Sequence, residues 1–114
     1  MAITFNVGLD LLQAQKIMKD IIINDSITGK LVDTYEIADC ENPAIISVYE
    51  KFFVKASNEA SLTTVIDSHG SFTRIHVVGA AGGSWILNQD FGAEKGFEDY
   101  ISEKMDIYKI KDSE

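Results

Sequence analysis

The sequence predicts an α+β fold: a five-stranded, mostly antiparallel sheet with two helices on one face, in the order β-α-β-β-β-β-α. Three observations carry this. A short segment with alternating apolar residues gives way at once to apolar residues at three- and four-residue spacings. The middle of the chain is a succession of β-branched and aromatic runs joined by connections so short that hairpins are implied. The end of the chain returns to a helical spacing. Two helices cannot cover both faces of five strands well, so both are expected on one face, with the other left to solvent or a partner.

Each element has its own signal. Ile3, Phe5 and Val7 alternate with polar residues, the period of a half-buried strand. Asp10 is a good N-cap, and Gln13 three residues later completes a capping box. Leu11, Ala14, Ile17, Met18, Ile21 and Ile22 then form one helical face that ends near Asn24. Leu31 to Asp39 reads as a strand and stops at Asp39-Cys40-Glu41-Asn42-Pro43, where Asn-Pro signals a turn. Ala44 to Lys55 and Leu62 to Asp67 are the next strands. Ser68-His69-Gly70 is a tight turn in which glycine can supply a positive φ, and Ser71 to Val78 completes the meander. A joint from Gly79 to Ser84 leads through Trp85-Ile86-Leu87-Asn88 to a second helix over residues 92–109, with a stripe of Ala93, Phe97, Tyr100, Ile101, Met105 and Tyr108. Its charges follow the macrodipole, with Glu94, Glu98 and Asp99 early and Lys104 and Lys109 late. A crossover helix follows the first strand, so that strand is expected to lie parallel to a neighbour.

This element order resembles domains of the TATA-binding-protein-like fold, a curved sheet with helices on its convex side; helix-grip folds are the close competitor. The resemblance is architectural and carries no function. Gly82-Gly83-Ser84, followed by Phe91-Gly92-Ala93-Glu94, Phe97 and Asp99, resembles the end of a family of small uncharacterised proteins from Firmicutes bacteria, a domain of unknown function. That likeness lies in the C-terminal third and implies no reaction, cofactor or partner.

Composition narrows the function classes. A chain of 114 residues fits a single domain over 1–114 that buries a core without disulfides or metal. Ten Lys and Arg against 18 Asp and Glu give a net charge of −8, which argues against binding a phosphate backbone. The carboxylates are interleaved with Lys, so a solvated acidic surface is expected rather than one acidic block. An acidic regulator of a basic protein would need those carboxylates gathered into one patch. The opening Met1 to Asn6 lacks the charged and apolar regions of a signal peptide, and no run approaches the roughly 18 apolar residues of a membrane span. One cysteine cannot close an internal disulfide, which makes the cytoplasm the expected compartment. No cofactor, metal, nucleic acid or membrane partner is expected.

Four groups of residues are candidate sites. Asp67, Arg74 and His76 fall on adjacent strands, with Arg74 and His76 two residues apart and therefore on one face. They could form acid–base machinery, an anion clamp or a solvated charge pair. Gly82 and Gly83, with Ser84 and Trp85, could form a backbone nest for an anion, yet no Lys-Ser/Thr pair closes a phosphate loop and no helix follows the glycines directly. Cys40 lies between Asp39 and Glu41, whose charge raises a thiol pKa, so it reads as a space-filling residue. Phe52 and Phe53 are adjacent in a strand and must point to opposite faces, so one of them should reach the uncovered face. The leading expectation is a non-enzymatic homodimer or small-ligand-binding module using that face; a small enzyme built on Asp67, Arg74 and His76 is the alternative.

Overall fold

The computed structural model describes residues 2–24, 29–38, 41–53, 58–81 and 97–110, with only the backbone described at 51–53, 58, 59, 69, 81 and 97. Cys40, the Gly82–Gly83–Ser84–Trp85 segment, the predicted start of the second helix at 92–96, and the side chains of Phe52, Phe53 and His69 lie outside the described residues. The elements are β1 (Ala2–Val7), α1 (Leu11–Asn24), β2 (Lys30–Ile37), β3 (Ala44–Phe53), β4 (Asn58–His69), β5 (Phe72–Ala81) and α2 (Phe97–Lys104), followed by a 3-10 turn at Asp106–Tyr108. This is the predicted α+β order.

Local chemistry explains the starts and stops. The α1 capping box closes on both sides: the Gln13 N–H donates to Asp10 Oδ1 at 2.8 Å, and the Asp10 N–H donates to Gln13 Oε1 at 3.1 Å. Gly70, at φ 64°, takes the left-handed position in the β4–β5 turn that other residues adopt at a cost. Gly29 is needed for space rather than for φ, because a Cβ there would stand 2.6 Å from the Ile22 carbonyl oxygen of α1. β4 and β5 run further than predicted, because Ala60 pairs with Ala81 and Leu62 with Gly79. A ladder partner draws polar and glycine-containing ends into the sheet, where composition alone reads turn and joint.

The sheet order is β1-β5-β4-β3-β2, and every neighbouring pair is antiparallel. The expectation that β1 lies parallel to a neighbour is therefore corrected. Four antiparallel steps leave β1 and β2 running in the same direction, as a crossover through α1 demands, but they occupy opposite edges with three strands between them. The crossover rule fixes direction and leaves adjacency open.

Both helices pack on one face. Ala14, Met18 and Ile22 of α1 and Ile101 of α2, with Met105 just beyond it, join Tyr49, Leu62, Ile66, Ile75 and Val77 of the sheet in one buried cluster. α2 ends earlier than predicted. After Lys104 the chain tightens into the 3-10 turn and joins β1: Val7 bridges Lys109, the Gly8 N–H donates to the Tyr108 carbonyl at 3.0 Å, and the Ile110 N–H donates to the Asn6 carbonyl at 2.9 Å. These bonds to an edge strand replace the last helical turn. Lys109 also locks the junction, its Nζ 2.6 Å from Asp106 Oδ1, 2.6 Å from Ser102 Oγ and 4.8 Å over the Phe5 ring.

Candidate functional site on the outer sheet face

Strand register places every second residue on the face away from the helices. One row across the sheet is Thr4, His76, Val65, Ile46 and Tyr35; the next is Asn6, Arg74, Asp67, Ala44 and Ile37. A third row, on the other side of the first, carries Val78 and Val48. Tyr35 is 62 % exposed, Ile37 41 % and Val78 37 %, while Val65, Ile46 and Val48 are half-buried by their strand neighbours. The outer face is thus apolar at Ile46, Val48, Val65 and Val78, with Thr63 between Val48 and Val78. Charged or hydroxyl residues lie on both sides, Asp67, Arg74 and Thr4 on one and Asp33, Glu50 and Ser61 on the other.

Asp67, Arg74 and His76 do come together on this face. Asp67 and Arg74 are direct register partners, and their contact is bidentate: Arg74 Nε donates to Asp67 Oδ1 at 3.0 Å and an Nη donates to Asp67 Oδ2 at 2.7 Å. The carboxylate raises the Arg74 pKa, chiefly by hydrogen bonding and secondarily by charge. His76 turns to the other side, where its Nδ1 lies 2.7 Å from Thr4 Oγ1 of β1. Thr4, Val65, Asp67, Arg74 and His76 line an open concavity of about 320 Å³.

The pairing defines what this group can do. Arg74 and Asp67 neutralise each other, so an incoming anion would have to compete with a carboxylate that already holds two guanidinium donors. The imidazole of His76 is oriented by the Thr4 hydroxyl, and among the described residues no carboxylate hydrogen-bonds to it as the acid of a catalytic relay would. His76 Nε2 has no hydrogen bond among the described residues and faces a partly apolar hollow. Thr4 is the member that sequence reasoning missed. Seventy-two residues separate it from His76, and only the β1–β5 pairing brings them together.

Two further polar groups also escaped the sequence reading. Glu98, expected as a solvated charge at the start of a helix, is 3 % exposed and accepts a hydrogen bond from the Gly79 N–H at 3.2 Å. On the inner face Gln15 of α1 reaches down to Ser47, with Nε2 donating to Oγ at 3.0 Å, beside Tyr49 and Thr64. A glutamine inside an otherwise apolar helical stripe was the available signal.

The chain belongs to the Family of unknown function (DUF6054). The match covers residues 1–109, so it takes in every strand, both helices and the closing bridge at Lys109, and it is not confined to the C-terminal residues that suggested a resemblance. No curated protein and no solved structure matched the chain. No helix among the described residues is long and apolar enough to cross a membrane.

Proposed function

We propose that this protein is a non-enzymatic module that self-associates through the outer face of its sheet. One observation carries the reading: Ile46, Val48, Val65 and Val78 form an apolar centre, interrupted by Thr63, that no described element packs against, with Tyr35 and Ile37 exposed at the β2 edge. An apolar centre beside polar groups such as Asp67–Arg74 and Thr4–His76 is the usual anatomy of a protein interface. A second copy of the chain offers the same patch, and two-fold pairing of identical patches is the commonest closed assembly. Each copy carries a net charge of −8, so their mutual repulsion weakens the pair at low ionic strength and added salt tightens it. Sedimentation velocity tests this. The wild type should sediment as a dimer whose fraction rises with salt, and Tyr35→Asp and Val78→Asp should each give a folded monomer by circular dichroism. A monomeric wild type across concentration and salt overturns the reading.

The concavity beside His76 favours a second reading, the binding of a small ligand with one hydrogen-bonding group and an apolar body. Native mass spectrometry separates the two readings, because it reports stoichiometry and any co-purified small molecule together.

A further inference from the structure

Between α1 and the sheet, the inner face carries a polar seam inside the apolar core. Thr34, Ser47 and Thr64 are register partners in one row across β2, β3 and β4, and Tyr49 lies two residues along β3 from Ser47. Ser47, Tyr49 and Thr64 are fully buried. The Ser47 hydroxyl is engaged twice, by Gln15 Nε2 at 3.0 Å and by Thr34 Oγ1 at 3.3 Å. Three other buried atoms have no partner among the described residues: Gln15 Oε1, Tyr49 Oη and Thr64 Oγ1. The Tyr49 hydroxyl lies close to Ser47 and Gln15 without closing a hydrogen bond of proper geometry to either.

We propose that Gln15, Tyr49 and Thr64 together bind one internal water molecule, lodged beside Ser47 beneath α1. The three atoms have complementary roles. Two hydroxyls can donate to a central oxygen, and the amide oxygen can accept one of its protons, which gives about three bonds, the typical number for a buried water. All three gather around Ser47, two of them from neighbouring strands and one from the helix above. A buried hydroxyl without a partner is costly, and three in one place would be costlier still. The water would tie α1 to β3 and β4 at the middle of the helix, where the seam interrupts the apolar packing of Ala14, Met18 and Ile22. Its chemistry restricts the occupant to a water-sized molecule that both accepts and donates.

Oxygen-17 relaxation dispersion counts long-lived internal waters without interference from exchanging hydroxyl protons. The wild type should show one more such water than the Tyr49→Phe/Thr64→Val double variant, and Thr64→Ser, which keeps the hydroxyl, should retain it. Should the double variant fail to fold, each single substitution serves the same comparison. Urea denaturation supplies a second readout: Tyr49→Phe should leave the midpoint unchanged or lower it, since the tyrosine hydroxyl has a partner to lose. An equal water count in wild type and the Tyr49→Phe/Thr64→Val variant overturns the proposal. So does a higher midpoint for Tyr49→Phe, because removing a truly unpaired buried hydroxyl stabilises the fold.

Discussion

Ile45 and Ile46 stand next to each other in β3, Val65 and Ile66 in β4, and Val77 and Val78 in β5. In each pair one side chain is buried on the inner face and its neighbour is half-buried or exposed on the opposite face. The two faces of this sheet are therefore made of nearly the same residues. The inner face even carries more hydroxyls in its depths, at Ser47, Thr64 and Thr73. What separates the faces is the placement of α1 and α2. Apolar character in a strand measures readiness to be covered, and coverage itself is decided by the other elements of the chain or by another molecule.

The widest contrast lies between adjacent positions. Ile66→Ala should cost about 2–5 kcal/mol by opening a cavity under the helices, whereas Val65→Ala on the outer face should cost well under about 1 kcal/mol in the monomer. Urea denaturation of both variants measures the asymmetry directly. Equal costs would mean that both faces are packed core and would break the comparison.

The next effect concerns what holds the cover in place. Asp10→Ala removes one half of the capping box and leaves the first turn of α1 short of an acceptor, at a cost of about 0.5–2 kcal/mol. The loss should appear in thermal and urea denaturation alike. An unchanged midpoint would show that inner-face packing alone sets the helix start.

A smaller effect separates the faces by pH. Burial raises the Tyr49 phenol above its ordinary value of 10.0, against a lesser opposing influence from Ser47 and Gln15. A raised folded-state pKa contributes stability below the unfolded value and loses it as pH climbs toward the folded one. Wild type should therefore lose stability relative to Tyr49→Phe as pH rises above about 10. A difference between the two that stays constant from pH 7 to pH 11 would contradict the burial of this hydroxyl.

The smallest effect belongs to the outer face. The Asp67–Arg74 pair is bidentate but solvated, with side chains 23 % and 40 % exposed, and such pairs contribute little to stability. Arg74→Ala should shift the urea midpoint least of these variants. Asp67 raises the Arg74 pKa further above an already strongly basic range, so the guanidinium adds no pH dependence at or near neutrality. A loss comparable to that of Ile66→Ala would mean that the pair is buried in an assembly.

Much of this architecture is legible residue by residue. Asp10 and Gln13 announce the start of α1, Gly70 the β4–β5 turn, and the apolar runs the strands between them. Arg74 and His76 were placed on one face by counting alone, because the side-chain period of a strand is two, and Asp67 was placed on the preceding strand across a short turn; the β4–β5 register is what puts it opposite Arg74. Thr4, Glu98 and the Gln15–Ser47 contact were not legible. Each depends on elements that meet only after the chain has crossed the sheet, so no local spacing encodes them.

The sequence by itself determined the element types, their order, the antiparallel meander and the helix cap, because these follow from side-chain period, turn chemistry and hydrogen bonds within a few residues. Tertiary structure decided that β1 pairs with β5 and not with β2, that the C-terminal segment closes the β1 edge, and which side of Ile45–Ile46 or Val65–Ile66 is covered. The physical reason is that a strand with apolar residues on both faces satisfies its local rules equally well either way up. Only the packing of α1 and α2 against one side, through contacts distant in sequence, makes the two sides different.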